Sequence, residues 1–225
     1  FYGQLSSAEN KSSLGTSPEN RKQFWLRDFR NNILQIVPNE SWFRPNGHLT
    51  GGVCGAVIGV SDVDKAIAFY AGTLKIDDIV YDKTGTFDDF AFLGADKQHF
   101  RRVLLRKSLG SVGAFGKLLG SIEIELVQAL DRTPRKIFED RDWGDAGFIH
   151  LCFDALDMDA LKNKCQINGF PFTVDSADSF DMGEAAGRFS YVEDPDGTLI
   201  EFVETHKVPI VKKLGIYLNL KKRKK

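Results

Sequence analysis

Three side chains carry the chemistry most worth explaining in this sequence: Glu125, His150 and Glu201. Each sits inside a short apolar run: Ile124-Glu125-Leu126-Val127, Ile149-His150-Leu151 and Ile200-Glu201-Phe202-Val203. A carboxylate buried in such a run is costly unless it is paired or coordinated. One imidazole and two carboxylates are competent ligands for a divalent metal such as Zn, Ni, Mn or Fe. The spacing therefore raises the question of whether the three converge.

The elements that would position them are written twice. Residues 55–64 (Gly-Ala-Val-Ile-Gly-Val-Ser-Asp-Val-Asp) and 150–159 (His-Leu-Cys-Phe-Asp-Ala-Leu-Asp-Met-Asp) share one register. Each is an apolar strand followed by an Asp-x-Asp helix start, where carboxylates suit the free amides and the positive end of the dipole. In the first copy, strand Cys54–Val60 leads to a helix capped by Ser61 and running to about Gly72, then strands Ile76–Tyr81, Arg101–Lys107 and Ile122–Gln128. The second copy predicts strand Phe148–Phe153, a helix over Asp157–Asn168, strand Phe172–Ser176, and the hairpin Gly187–Glu193 and Thr198–Glu204. Its turn is Asp194-Pro195-Asp196-Gly197, with Pro presetting one dihedral and Gly supplying positive φ. Alternation puts the aliphatic residues on the helix side and Glu123, Glu125, His150 and Glu201 on the other. One helix per four strands argues for α+β: paired βαβββ modules in a curved, cup-shaped mixed sheet with helices on its outer face.

Four zones follow. Residues 1–45 form a partial module or N-terminal extension ending in a hairpin, in which Asp28…Gln35-Ile36-Val37 aligns without a gap on Asp194…Glu201-Phe202-Val203. Residues 51–130 are the first complete module and 146–206 the second, and 207–225 are a basic tail. A net charge of −1 leaves no electrostatic footprint for nucleic acid, and no apolar run is long enough to span a bilayer. Lys221–Lys225 reads as a solvated tail. Three cysteines with no paired spacing, Cys54, Cys152 and Cys165, fit reduced thiols and a cytoplasmic location. The start at Phe1, without Met, suggests that upstream residues are missing. The N-terminal fragment would then complete an upstream module or extend the sheet, a homodimer being one way to do so.

The module order, the Asp-x-Asp helix starts and the endings Ile-Glu-Leu-Val and Asp-Pro-Asp-Gly-Thr-Leu-Ile-Glu-Phe-Val-Glu resemble the vicinal oxygen chelate superfamily, which includes glyoxalase I, methylmalonyl-CoA epimerase, extradiol dioxygenases and fosfomycin-resistance proteins. The resemblance covers about residues 51–206. It implies a cup whose divalent metal is held by the first and last strands of each module, at positions that fall here on Gly55, Glu125, His150 and Glu201. Gly55 departs from the pattern, since it carries no ligand atom. His48 and Gln35 are then candidate extra ligands.

A metal-dependent lyase or isomerase acting on a small oxygen-chelating substrate is the function implied. The metal would polarise the substrate, and Glu125 would transfer the proton, with Glu123 beside it as a substitute. Arg102, Arg106 and Arg188 would grip a substrate carboxylate or phosphate if they share the concave face. An extradiol-type dioxygenase is the rival, weakened by the lack of a second histidine. The other alternative is a metal-free protein binding a small molecule in the same cup.

Overall fold

The computed structural model describes residues 13–39, 47, 51–107, 113–116, 121–177, 180–181, 186–211 and 214–220; at 13–14, 180–181 and 211 only the backbone is described. Strands β1 (Ser13–Thr16), β2 (Lys22–Arg27) and β3 (Ile33–Ile36) form an antiparallel sheet. The first module supplies β4 (Gly55–Gly59), β5 (Asp78–Gly85), β6 (Phe100–Lys107) and β7 (Ile122–Ala129), in the order β4-β7-β6-β5. The second supplies β8 (His150–Asp154), β9 (Val174–Asp175), β10 (Phe180–Asp181), β11 (Ala186–Glu193), β12 (Leu199–Val211) and β13 (Ile216–Asn219). Both module sheets are mixed. The opening strand runs parallel to the closing strand, β4 beside β7 and β8 beside β12, and the other pairs are antiparallel.

Alternation decides what each sheet presents. Leu105, Ile124 and Leu126 of the first module, and Val192, Ile200 and Phe202 of the second, lie in one core with Val63, Ala66, Phe69 and Met158 from the helices. Burial of such side chains contributes about 1.5–3 kcal/mol each. The same alternation turns Glu123, Glu125, His150 and Glu201 to the opposite, concave side.

Helix α1 (Val63–Ile67) is capped by Asp62, not Ser61: its carboxylate accepts from the amides of Asp64 and Lys65. Instead of continuing regularly, the chain widens into a π-helical turn over Ala68–Thr73. This lets two consecutive rings be fully buried. Phe69 packs edge-on against Phe170 of the second module at 4.8 Å. The Tyr70 hydroxyl donates to Asp194, 2.8 Å away in the second module's hairpin turn. Helix α2 (Met158–Ile167), capped by Asp157, covers the second sheet. Among the described residues no helix is long and apolar enough to cross a membrane.

The N-terminal hairpin repeats the second module's closing turn bond for bond. Asp194 Oδ1 accepts from the amides of Asp196 (2.9 Å) and Thr198 (2.8 Å), and Asp28 Oδ1 accepts from those of Arg30 and Asn32 (both 2.8 Å). Asn31, at φ +64°, takes the place of Gly197, at φ +84°. Trp25 opposes Gln35 as Tyr191 opposes Glu201. At the other end, the segment read as tail from residue 207 is partly strand. β12 runs on to Val211 and pairs with β13, because Val208, Ile210 and Val211 sustain an apolar, β-branched run. Lys221–Lys225 lie outside the described residues.

Gly55 is fixed by close approach. A Cβ there would lie 2.0 Å from the Glu123 carbonyl oxygen and 2.8 Å from its carbon, both on the parallel neighbour strand. No side chain, and so no metal ligand, fits without moving backbone. Gly55→Ala is expected to destabilise the protein by about 1–3 kcal/mol through forced backbone shifts, read as a lower urea midpoint with an unchanged slope.

Candidate functional site

On the concave side of the first module the sequence places charge where the fold excludes water. Arg102, from β6, is fully buried, and Glu125 (4% exposed) and Asp89 (3%) are nearly so. Arg102 Nε donates to Glu125 Oε1 at 2.5 Å and Nη1 to Asp89 Oδ1 at 2.7 Å. The guanidinium also lies over the rings of Phe90, at 4.1 Å, and Phe87, at 4.7 Å. Asp89 and Phe90 are delivered by a 3-10 helix, Asp88–Leu93, after β5. Tyr81 of β5 hydrogen-bonds Glu125, and its pKa is pushed well above the ordinary tyrosine value by burial and by that carboxylate. Burial opposes the charge on Arg102, but Glu125 and Asp89 outweigh it and hold the guanidinium firmly protonated.

The N-terminal sheet closes this cluster from above. On β2, Gln23 and Trp25 are buried while Lys22 and Phe24 are exposed, so alternate residues face the first module. Gln23 Nε2 donates to Asp89 Oδ2 at 2.7 Å, and Gln35 Nε2 donates to Gln23 Oε1 at 2.8 Å. Trp25 packs with Phe90 and Phe100 in a small second core. Arg21 reaches Glu123 Oε2 at 3.0 Å. Gln35, the candidate extra ligand, is thus two hydrogen bonds from the arginine cluster.

In the second module, His150 Nε2 lies 2.9 Å from Glu201 Oε2. The two are not direct cross-strand partners. Cys152 opposes Glu201 on β8 and β12, and His150 is two residues back on the same face. Tyr191, opposite Glu201 on β11, meets the His150 ring edge-on at 5.5 Å. Both the Tyr191 hydroxyl and the Cys152 thiol hydrogen-bond Glu201. Desolvation and then the Glu201 charge push the Tyr191 pKa up to about 12. His150 Nδ1 is buried and without a partner among the described residues.

The residues expected to form one centre therefore fall into two groups. His150 and Glu201 touch, and Glu125 is held by Arg102 in the other module. Among the described residues no three His, Cys, Asp or Glu side chains lie close enough to hold a metal. His48 lies outside the described residues.

The three arginines expected to grip a substrate anion each hold protein carboxylates instead. Arg102 binds Glu125 and Asp89, and Arg106 binds Glu123 at 2.8 Å. Arg188 faces the helix side, against Asp159 and Asp175, both at 2.6 Å. There Arg188, ahead of Lys162, holds the Asp175 carboxyl below the usual range. Asp89 and Gln23 carried no periodic signal. Tyr191 could have been found by counting back across the Asp194–Gly197 turn.

The sequence profile described as the Glyoxalase/Bleomycin resistance protein/Dioxygenase superfamily matches residues 47–202, and the chain belongs to that superfamily. Among solved structures, a glyoxalase family protein from Bacillus cereus is 14% identical, covers 72% of this chain and 99% of its own, and superposes with a TM-score of 0.51. Two others are a lactoylglutathione lyase from Agrobacterium tumefaciens (17% identity, 68% of this chain, 92% of its own, TM-score 0.41) and a mutant of the fosfomycin resistance protein FosX from Listeria monocytogenes, complexed with Mn(II) and 1S,2S-dihydroxypropylphosphonic acid (15%, 69%, 90%, TM-score 0.41). At these identities the likeness concerns the fold alone. A search of curated proteins returns no match.

Two outcomes test this geometry. Arg102→Met leaves two carboxylates buried without their cation and is expected to lose about 3–5 kcal/mol in urea unfolding, most of it recovered when Glu125 and Asp89 are also made Leu. Glu201→Gln removes the carboxylate charge that, after burial, acts most on Tyr191. Its hydroxyl pKa should fall from about 12 toward the ordinary value, followed by tyrosinate absorbance.

Proposed function

We propose that this protein is a small-molecule-binding member of the superfamily that takes its ligand in the second module's cup without a resident divalent metal. One observation carries this reading: Glu125, the carboxylate needed to complete a ligand set, is already neutralised by Arg102 beneath the N-terminal sheet. The donor set does not fit the metal that the family implies. Gly55 has no room for a side chain, Glu125 is engaged, and His150 and Glu201 remain as a pair. A lyase, isomerase or ring-cleaving step routed through a metal held by these residues has too few ligands, and Glu125 is not free to move a proton.

The second cup offers a different set of contacts. The Glu201 carboxylate, its side chain 16% exposed, and the Tyr191 hydroxyl are framed by the rings of Tyr191 and Phe189, 6.1 Å apart. The arginines of both modules are committed to acids, so the cup suits a neutral or cationic organic molecule with hydrogen-bond donors rather than an anion. Cys54, Cys152 and Cys165 are free thiols, which fits a reducing cytosol.

The test is metal analysis by mass spectrometry on protein purified without chelator, together with a thermal-shift screen of small organic molecules. The expected result is substoichiometric metal, and ligands whose affinity falls by about tenfold to a hundredfold in Glu201→Gln, the worth of a charged hydrogen bond. One bound metal per chain, lost in Glu201→Ala, would overturn the proposal.

A further inference from the structure

Among the described residues the sheets of the two modules do not join. β4 pairs only with β7, and β8 pairs only with β12, so two edge strands face each other across a gap. Behind that gap, on the helix side, lies a cavity of about 370 Å³, within the range of small-ligand sites. Its walls are mainly aliphatic and aromatic, with Ile122, Ile124, Leu151, Phe153 and Phe202 contributed by the sheets. Helix α2 closes one side with Ala160, Leu161 and Lys164.

Two lysines and two carboxylates line this cavity, and they differ in what holds them. Lys107, at the end of β6, and Lys164 both line it, and neither has an ion-pair partner among the described residues. The two lining carboxylates are turned to backbone amides: Asp154 accepts from Phe115 at 2.6 Å, and Asp157 accepts from Ala160 at 3.2 Å as the cap of α2. Burial, and then the like charges of Lys75 and Lys107, hold the Lys164 ammonium below its ordinary pKa, which a bound anion would relieve. The cup on the other side of the sheets has the opposite character, with carboxylates and committed arginines.

We infer that the cavity between the modules binds an amphipathic carboxylic acid, its aliphatic or aryl tail among Ile124, Leu151, Phe153 and Phe202 and its carboxylate at Lys107 and Lys164. The apolar walls supply affinity in proportion to the tail buried, and the two ammonium groups supply the preference for a charged head. This site is separate from the cup and does not depend on what the cup binds.

Isothermal titration with decanoate, decanol and decyl phosphate, each below its micellar concentration, tests the inference on the full chain. Decanoate is expected to saturate a single site and to bind more tightly than either of the others. Lys107→Met combined with Lys164→Met should weaken decanoate by about tenfold or more while leaving decanol unchanged. Ala160→Trp should fill the cavity and abolish binding, with circular dichroism checking that the fold is kept; His150→Ala should leave binding intact. Absence of saturable binding, an unchanged decanoate affinity in the double lysine variant, or loss of binding in His150→Ala would each overturn the inference. Tighter binding of decyl phosphate would overturn the carboxylate assignment.

Discussion

The ion cluster of Arg102 with Glu125 and Asp89 is the interaction on which the first half of the molecule depends. A single guanidinium between two carboxylates in a dry site is stable only if its remaining polar contacts are also met. Among the described residues the local structure meets that demand except at Arg102 Nη2, which is buried without a hydrogen-bond partner. Tyr81 donates to Glu125, Gln23 donates to Asp89, and two phenylalanine rings face the guanidinium. Gln23 can do this only because β1–β3 lie over the first module. The N-terminal sheet is therefore bound by polar complementarity as well as by Trp25, and it makes the first cup interior rather than surface.

The second module meets the same difficulty by other means. Glu201 lies at the position equivalent to Glu125, but no arginine reaches it. It gathers three weaker donors: the His150 imidazole, the Tyr191 hydroxyl and the Cys152 thiol. That arrangement leaves the carboxylate partly open to solvent and the imidazole with an unmatched nitrogen. Two copies of one module have thus diverged in the quantity that matters for function, the number of polar groups still available to a ligand. The first copy has bound both of its concave carboxylates to arginines, and the second has left Glu201 partly exposed.

Much of this architecture is legible in the sequence, and the parts that are not share a cause. Strand-helix-strand order, the faces of β7, β8 and β12, and the tight turn at Asp194–Gly197 depend on local patterning, which alternation and turn chemistry report directly. The echo of that turn at Asp28–Asn32 is legible for the same reason, even with Asn31 in place of glycine. What alternation cannot report is which residue answers a buried charge. Glu125 inside an apolar run announces that compensation is needed, and a metal and a neighbouring arginine satisfy that demand equally well. Arg102 was visible on the facing strand, but its diagonal contact with Glu125 depends on the β6–β7 register. Asp89, Gln23 and the π-helical turn after Ile67 likewise follow from tertiary packing, as does the continuation of β12 beyond Glu204, which needs β13 beside it.

The distribution of uncommitted charge then separates two surfaces of one protein. On the concave side Arg21, Arg102 and Arg106 are bound to Glu123, Glu125 and Asp89, so an anion entering there would have to displace a carboxylate already in place. Such a displacement exchanges one charge-assisted pair for another and yields little net affinity. On the helix side Lys107 and Lys164 have no ion-pair partner among the described residues, and an anion there gains their attraction without breaking an existing pair. Gly55 stands at the boundary between the two. Its missing side chain lets β4 close tightly on β7, where a Cβ would meet the Glu123 carbonyl. The same close approach leaves no room at that position for a side chain facing the cup.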